Sequence, residues 1–291
     1  MLEITYHMSE MMPKLFPYPK PIGLICPAVM ATKIVFITGT DTGVGKTLLT
    51  ALLLCHLRSH GARALALKPF CSGGRADAEL LCKLQHGDLT LDEVNPFYFP
   101  EPVAPLISAR KHKRNIPLDR VLQHINSIAS RVPSLPAGLP SNASTRHSPL
   151  ATRNFLLIEG SGGLLVPLGE GYTVRDLIAR LPCDVLVVSR NQLGTINHTL
   201  LTVQALLNST PRSPLRIPHS AGPSTFSLSC VVLMDSGTRD ASSRSNEPIL
   251  AEFLAPVPLV CLPYLGIRCS SASAVKKNAK KFQKTLARLF D

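Results

Sequence analysis

A glycine-rich segment between an apolar run and a helical pattern constrains the fold of this chain more than any other feature. Residues 37 to 51 read ITGTDTGVGKTLLTA and contain the Gly-Lys-Thr ending of a phosphate-binding loop. The usual pattern, G-x-x-x-x-G-K-[ST], has a glycine where this chain has Thr40, and Gly39 comes one residue early. Such a loop joins a buried strand to a helix. The segment therefore predicts an α/β fold that binds a nucleotide.

The rest of the chain alternates short apolar runs with helical patterns, which is typical of βαβ units. Strands are predicted at residues 33–38, 62–67, 155–160, 184–189, 227–234 and 258–262. Helices are predicted at residues 46–59, 77–85, 117–130, 174–181, 195–208 and 274–290. We expect a single-domain α/β fold like that of P-loop NTPases, with a doubly wound, mainly parallel sheet and helices on both faces.

Three segments rich in Pro, Ser or Arg interrupt this alternation, at about residues 131–153, 209–226 and 236–246. Their low apolar content cannot offset the entropy cost of ordering them, so we expect mobile loop insertions. Residues 1–29 read as a weakly structured N-terminal extension, because MATKIVFITG from Met30 looks like a natural start for the first strand. The expected domain spans residues 30–291.

Composition and charge argue against several classes of protein. No apolar run approaches the roughly 20 residues that cross a bilayer, and the first residues lack the pattern of a secretory signal. The eight cysteines include no C-x-x-C pair, so reduced thiols and a cytoplasmic location are expected. Much of the formal net charge of +12 is explained by solvated lysines on a C-terminal helix and by the insertions, so neither a nucleic acid nor a membrane is expected as a partner.

The glycine-rich loop predicts how a nucleotide is held. Backbone N–H groups from about Thr42 to Thr47 would converge on phosphate oxygens at the positive end of the following helix. Lys46 would reach the β- and γ-phosphates, and the Thr47 hydroxyl would hold Mg²⁺. The expected ATP contacts in this loop are Thr42, Gly43, Val44, Gly45, Lys46, Thr47 and Leu48.

A second basic residue, Lys68, follows the loop in the sequence, and by itself it would more often be a surface lysine. Lys68 ends the second predicted strand in LALKPFCSGG and would point into the crevice where parallel sheets bind ligands. With TGTDTGVGKT and KPFCSGG together, the chain resembles the ATP-dependent dethiobiotin synthetases, whose loop has its first glycine early. The blocks NPFYFPEPVAP, LLIEGSGGLLVPL and VLVVSRNQLGTINHTLLT follow in that family's order. The resemblance covers roughly residues 33 to 265, apart from the insertions.

The resemblance implies a ring-closing ligase of biotin biosynthesis. In that family 7,8-diaminononanoate, CO2 and ATP give dethiobiotin, ADP and phosphate by way of a phosphorylated carbamate. A carbamate and a triphosphate are both anionic, so bringing them together needs concentrated positive charge and a metal ion. Lys68 and Lys46 are the expected catalytic residues, with ATP as co-substrate and Mg²⁺ as cofactor.

The resemblance also implies the metal ligands. Beside Thr47, the carboxylates of Asp77 and Glu159 match the acidic residues of the family, and Mg²⁺ prefers oxygen ligands. Asp77 by itself would equally fit a helix cap. Glu159 follows a buried apolar strand and needs a partner there. The glycine-rich segment after it is expected to contact ATP through Gly160, Ser161 and Gly162.

Two substrate-binding segments follow from the same resemblance. Ser72 is expected to bind the carbamate or the amine end of the diamine. The segment NQLGTINH opens a helix, whose free N–H groups would bind the carboxylate tail of the substrate across a homodimer interface. Without the resemblance, Thr195 would read as a plain N-cap. The residues of this turn are Gly194, Thr195, Ile196 and Asn197.

The adenine end departs from the family pattern. Met234 and then Asp235 stand where the family usually has a base-reading asparagine after its strand, and methionine cannot hydrogen-bond a base edge. The selectivity for the nucleotide base therefore stays open. The family's proline-containing turn is present, and its expected ATP contacts are Pro263, Tyr264 and Leu265.

Other functions of the P-loop superfamily remain as alternatives. Another amidating or ring-forming synthetase is one, although the cobyrinate-amidating enzymes usually carry a glutaminase domain for which this chain has no room. A partitioning ATPase would be expected to have a second lysine early in the loop, where Thr40 and Asp41 stand. A catalytically lapsed relative that only binds nucleotide is the third alternative.

Overall fold

The computed structural model describes residues 32–135, 148–207, 225–237, 240–266 and 271–290. Its strands are β1 (Lys33–Gly39), β2 (Arg63–Leu67), β3 (Phe70–Ser72), β4 (Phe97–Phe99), β5 (Asn154–Glu159), β6 (Pro167–Gly169), β7 (Tyr172–Thr173), β8 (Cys183–Asn191), β9 (Ser227–Asp235) and β10 (Leu259–Leu262). Its helices are α1 (Lys46–Ser59), α2 (Ala76–Leu84), α3 (Leu91–Val94), α4 (Pro105–Lys111), α5 (Leu118–Arg131), α6 (Val174–Ala179), α7 (Thr195–Leu207), α8 (Asn246–Leu254), α9 (Ala272–Lys281) and α10 (Gln283–Ala287).

Six parallel strands form the central sheet, in the order β10-β9-β8-β1-β5-β2. Every neighbouring pair is parallel, so the carboxyl ends of all six strands meet at one edge. β1 lies between β5 and β8, and the loop that follows β1 therefore has the ends of both neighbours beside it. The predicted α/β fold with its parallel sheet is confirmed.

Helix α1 is buried because it lies between the sheet and the C-terminal helices. It contacts β1, β2 and β5 on one side and α9 and α10 on the other. Leu49, Leu52, Leu53 and Leu57 line one face of the helix and are fully inaccessible to solvent, and so are Ala51 and Leu54 on its other sides. A strand and a helix that are both buried hold the two ends of the glycine-rich loop in place.

A small parallel sheet, which the sequence analysis did not predict, lies outside the central one. It pairs β3 with β4, and the rings of Phe70 and Phe97 stack with centroids 4.9 Å apart. Ser72 is the last residue of β3, and Gly73 follows it with φ of +81°. A Cβ on Gly73 would lie 2.7 Å from Pro102 Cβ, so this position requires glycine. The small sheet thus brings Ser72 and Pro102 to the same region.

Two predictions about irregular and helical segments differ from the structure. The expected loop at residues 236–246 contains a 3-10 helix, Ala241–Arg244, and Asn246 begins α8, so part of this segment is helical, whereas its mobility stays a prediction. The Asp240 side chain caps the 3-10 helix by accepting from Ser242 N at 2.9 Å. The single helix predicted at residues 274–290 is two helices, α9 and α10, separated at Phe282.

The two longer predicted insertions both connect a helix to the amino end of a central strand. The first runs from the end of α5 to β5 and the second from the end of α7 to β9. Residues 136–147 and 208–224 of these connections lie outside the described residues, as does the predicted extension at residues 1–29. Within the described part of the chain, no helix has the length and apolar character needed to cross a membrane.

Candidate functional site

The loop after β1 has a backbone that depends on glycine. Gly43 and Gly45 have φ of +72° and +107°, in the left-handed region that side chains disfavour. Gly39 has a different role, because a Cβ there would lie 2.8 Å from Val44 Cγ2 and 3.2 Å from Val188 O. Glycine is therefore required at position 39, because any side chain there would clash with the loop and with the backbone of β8.

Lys46 begins α1 and is buried under the loop. Its Nζ donates to the carbonyl of Asp41 at 2.7 Å, and among the described residues it forms no ion pair. Burial and the nearby charge of Lys68 lower the pKa of Lys46 to about 8. The lysine is thus held by the backbone of its own loop, and the charges of Glu159, Asp41 and Asp77 offset only part of the lowering of its pKa.

Lys68 and Glu159 form a buried ion pair at the carboxyl ends of β2 and β5. These strands are neighbours with Leu67 opposite Ile158, so the next residue of each comes to the same place. Lys68 Nζ lies 2.5 Å from Glu159 Oε1, and the side chains are 7% and 0% exposed. The hydroxyl of Thr47 donates to the same oxygen at 2.7 Å.

The charges around Lys68 keep it protonated. Burial acts to lower its pKa, but the carboxylates of Glu159 and Asp77 more than offset this and raise the pKa above its usual value. Asp77 Oδ2 lies 3.8 Å from Lys68 Nζ. Asp77 lies inside the first turn of α2, and Arg75 occupies the N-cap, so the alternative of a helix cap at Asp77 is wrong.

Two buried oxygens in this region have no hydrogen-bond partner, namely Glu159 Oε2 and Ser72 Oγ. Leaving such atoms unpaired costs free energy, and a ligand that binds them would remove the cost. The oxygens of Thr47, Asp77 and Glu159 are the type of ligand that Mg²⁺ takes. Within the described ranges, no group of three or more His, Cys, Asp and Glu side chains is placed to hold a metal, so water or nucleotide oxygens would complete the shell.

A cavity of about 1080 Å³ surrounds these atoms. Most of the predicted site residues line it: Thr42, Gly43, Gly45, Lys46, Thr47, Leu48, Lys68, Ser72, Asp77, Glu159, Ser161 and Gly162. Val44 is buried behind the loop, and the carbonyl of Gly160 accepts from Lys68 at 3.1 Å. The structure therefore brings the phosphate loop, both lysines and the predicted metal ligands together in one cavity.

Several cavity residues were not singled out from the sequence. Pro102, Val103 and Pro105 form an apolar wall, and they belong to the block NPFYFPEPVAP in which no individual residue had been assigned. Cys71 lies beside Lys68, but burial raises the pKa of its thiol to about 12 and keeps it protonated. Lys83 and Ala272 line the far end, where α2 approaches the start of α9.

The residues predicted for the adenine end do not line this cavity. Met234 packs behind the loop, where a Cβ on Gly45 would lie 3.1 Å from its Cε. Asp235 accepts from Asn191 Nδ2 at 2.8 Å. Pro263, Tyr264 and Leu265 follow β10, the strand next to β9. These residues lie at the correct edge of the sheet, and their contact with ATP stays a prediction.

The predicted turn for the substrate tail also lies outside the cavity. Gly194 has φ of +91°, and the hydroxyl of Thr195 lies 2.6 Å from Ser189 Oγ, so the Thr195 side chain is directed into the protein. Ile196 is half-buried and Asn197 is exposed. None of these four residues lines the cavity that contains Ser72, and their contact with the substrate stays a prediction.

Comparisons with known proteins agree with this geometry. A family model described as "AAA domain" matches residues 33–213. The ATP-dependent dethiobiotin synthetase of Bacillus licheniformis is 38% identical over 174 residues, which are 58% of this chain and 65% of the relative. That of Methanocaldococcus jannaschii is 37% identical over 174 residues, 60% of this chain and 73% of the relative.

Solved structures support the fold. The ParA protein of pNOB8, solved bound to nonspecific DNA, superimposes with a TM-score of 0.51 and 13% identity. The match covers 89% of this chain and 98% of ParA. At this identity the likeness concerns the arrangement of the sheet and its helices only.

Proposed function

Because this chain belongs to the family of ATP-dependent dethiobiotin synthetases, we propose that it forms dethiobiotin, ADP and phosphate from 7,8-diaminononanoate, CO2 and ATP. The observation that carries the proposal is the position of Lys68. This buried lysine lines the same cavity as the phosphate loop and the unpartnered hydroxyl of Ser72, and its raised pKa keeps it protonated. A carbamate there would meet the phosphate end of ATP.

The first step would join CO2 to one amine of the diamine. The amine nitrogen attacks the carbon of CO2, a C–N bond forms as one C–O π bond breaks, and the nitrogen's proton passes to water, which leaves an anionic carbamate. Lys68 retains its proton because Glu159 and Asp77 raise its pKa, so it offers a positive charge to the carbamate. Ser72 would donate its free hydroxyl to the carbamate or bind the amine end.

The second step would transfer the γ-phosphoryl group. A carbamate oxygen attacks the γ-phosphorus while the bond to the leaving ADP oxygen breaks. Lys46 and the N–H groups of the glycine-rich loop would stabilise the charge on the phosphoryl oxygens and on ADP. Thr47, Asp77 and Glu159 would hold Mg²⁺, which when bound neutralises part of the triphosphate charge.

The last step would close the ring. The second amine attacks the carbonyl carbon of the carbamoyl phosphate, a second C–N bond forms, and phosphate leaves. A mixed anhydride of this kind is lost to hydrolysis if water reaches it. The apolar wall of Pro102, Val103 and Pro105 would limit that access on the side of the cavity nearest Ser72.

A diamine-dependent assay tests this function. Phosphate release from Mg-ATP and bicarbonate is measured with and without 7,8-diaminononanoate, and the product is identified by mass. We expect release that requires the diamine and yields dethiobiotin. Binding of ATP with no diamine-dependent turnover would contradict the proposal and favour a lapsed relative, whereas turnover with a different product would favour another ring-forming synthetase.

Replacing Ser72 with alanine is expected to raise the KM for the diamine by about tenfold, because one hydrogen bond to a charged group is lost. The free energy of unfolding should stay nearly constant, since the hydroxyl has no partner in the protein. Steady-state kinetics and thermal unfolding measure the two effects. Ser108→Ala is the matched control: the hydroxyl of Ser108 is buried like that of Ser72, but it donates to Glu101. An unchanged KM in Ser72→Ala would remove Ser72 from the substrate site.

We also propose that the working unit is a homodimer. Leu193 is 79% exposed directly before the Gly194–Asn197 turn, and Leu201 and Phe253 are 55% and 64% exposed on the adjacent α7 and α8. Large apolar side chains gathered beside a predicted substrate turn indicate a surface covered by a partner. A second copy would place its own turn near the first copy's cavity, as the family resemblance implies.

The double variant Leu193→Asp, Phe253→Asp is expected to sediment as a monomer, because two buried charges would face the partner. Diamine-dependent turnover should fall by at least about 100-fold, since uncompensated charge at an interface costs several kcal/mol. ADP should still bind, because the phosphate loop lies within one chain. Ile107→Asp on α4, at a side chain 56% exposed, controls for adding charge at an apolar surface position. A fully active monomer would disprove the need for the dimer.

A further inference from the structure

The glycine-rich loop has a contact from β8 that the proposed mechanism does not use. An Nη of Arg190 donates to the carbonyl of Gly43. A Cβ on Gly43 would lie 3.3 Å from the same nitrogen, so the guanidinium rests directly against the outside of the loop. Gly43 itself lines the cavity. Arg190 therefore contacts Gly43 from the side opposite to the cavity.

The central sheet explains why Arg190 reaches the loop. Gly39, the last residue of β1, pairs with Val188 of β8, so Arg190 continues past the end of β1 and runs beside the loop. Side chains alternate along a strand, and those of Ser189 and Asn191 are buried. The side chain of Arg190 is directed to the other face, where it is exposed and meets Gly43.

Among the residues that the structure describes, Arg190 has no acidic partner. Across the described ranges, no carboxylate lies within ion-pair distance of its guanidinium, whereas Lys68 is paired with Glu159. Its contact with Gly43 is to a neutral carbonyl and uses only part of the guanidinium's donor capacity. Such a charge adds positive potential beside a loop whose ligand carries several negative charges.

A residue of β9, the strand next to β8, contacts Gly45, which is the second loop glycine with a positive φ. Met234 of β9 pairs with Arg190 in the sheet register and packs against Gly45. Arg190 and Met234 thus contact Gly43 and Gly45 from the same level of the sheet. Together they support the two peptides that must keep φ positive for the loop's N–H groups to converge.

We propose that Arg190 is a positioning residue for the nucleotide: it fixes the Gly43 peptide of the phosphate loop and supplies positive charge behind it. The inference depends on the proposed function only in requiring that a nucleotide di- or triphosphate occupies this loop. The role is distinct from that of Lys68, because Arg190 acts on nucleotide affinity through the loop. It predicts a change in nucleotide binding without a comparable change in the chemical step.

The test measures the dissociation constant of ADP by calorimetry for the wild type, Arg190→Ala, Arg190→Lys and Arg180→Ala. Arg180 is half exposed and lies 3.8 Å from Asp119, so its removal controls for the loss of one surface charge. We expect Arg190→Ala to bind ADP roughly tenfold more weakly, as for a lost charged hydrogen bond. Arg190→Lys, which retains a charged donor, and Arg180→Ala should each stay within about twofold of the wild type.

If Arg190 served only the stability of the fold, the thermal midpoint and the KM values of Arg190→Ala would change differently. If Arg190 only stabilised the fold, the thermal midpoint of Arg190→Ala would fall and the KM for the diamine would rise together with that for ATP. Positioning predicts an unchanged midpoint, a raised KM for ATP and a kcat close to that of the wild type. ADP affinity that is unchanged in Arg190→Ala, or not restored by Arg190→Lys, would overturn the inference. Because ADP binding needs no diamine, this result is independent of whether dethiobiotin is made.

Discussion

Replacing Lys68 with alanine is expected to lower the diamine-dependent kcat by about 100- to 1000-fold, the effect of removing one preorganised donor to developing charge. Lys68 forms ion pairs with Glu159 and Asp77, lines the same cavity as Ser72, and is buried with a raised pKa. ADP affinity should change much less, because Lys46 and the loop remain. Single-turnover phosphate transfer and ADP titration measure the two effects separately.

Loss of the fold must be separated from loss of catalysis in this variant. Removing Lys68 leaves Glu159 as a buried, unpaired carboxylate, which costs about 3–5 kcal/mol of stability. The double variant Lys68→Met, Glu159→Gln removes both charges and should regain most of that stability while staying inactive. Lys33→Ala is the matched control, since Lys33 pairs with Asp184 at 2.6 Å at the opposite edge of the sheet. Near-normal turnover in a folded Lys68→Ala protein would remove Lys68 from the mechanism.

Glu159→Gln is expected to raise the Mg²⁺ concentration for half-maximal turnover by at least about tenfold and to reduce kcat by about 100-fold. The substitution keeps the size of the side chain but removes the charge next to Thr47 and leaves the free Oε2 position without its negative charge. The rate of phosphate release is measured against Mg²⁺ concentration at saturating ATP.

Of the two proposed carboxylate ligands, Glu159 is expected to contribute more to Mg²⁺ binding than Asp77. Asp77 is 52% exposed, whereas Glu159 is inaccessible to solvent, so Asp77→Asn should shift the Mg²⁺ dependence by a smaller factor than Glu159→Gln. Glu93→Gln controls for loss of a paired surface carboxylate, since Glu93 forms an ion pair with Arg131 away from the cavity. Equal Mg²⁺ dependence in the wild type and Glu159→Gln would exclude Glu159 as a metal ligand.

The central sheet was predictable because its strands carry a strong local signal. A strand buried on both faces is apolar at every position, as residues 155–158 of β5 are, and the helix after it has a polar face. Residues of the candidate site could be predicted in the same way, because residues at the carboxyl ends of neighbouring parallel strands lie next to one another. Lys68 and Glu159, which are 91 residues apart, are the clearest case.

The elements that the sequence analysis did not predict have no local pattern of apolar residues that would reveal them. β3 and β4 are three residues long, too short for a periodicity, and their pairing depends on Phe70 and Phe97 meeting in space. The 3-10 helix near Ser243 is stabilised by Asp240 and by contacts with β8, which composition does not reveal. The contact between Arg190 and Gly43 likewise depends on where β8 ends relative to β1, and no pattern of residues in either segment predicts it.

The connections that precede β5 and β9 have a practical consequence for protein engineering. Both lead to the amino ends of central strands, whereas the loop, Lys68 and Glu159 lie at the carboxyl ends. Since a strand rises about 3.3 Å per residue, a six-residue strand separates the two edges by roughly 20 Å. A fluorophore or an immobilisation tag attached where either connection meets its strand would therefore begin at the edge of the sheet opposite the glycine-rich loop, Lys68 and Glu159.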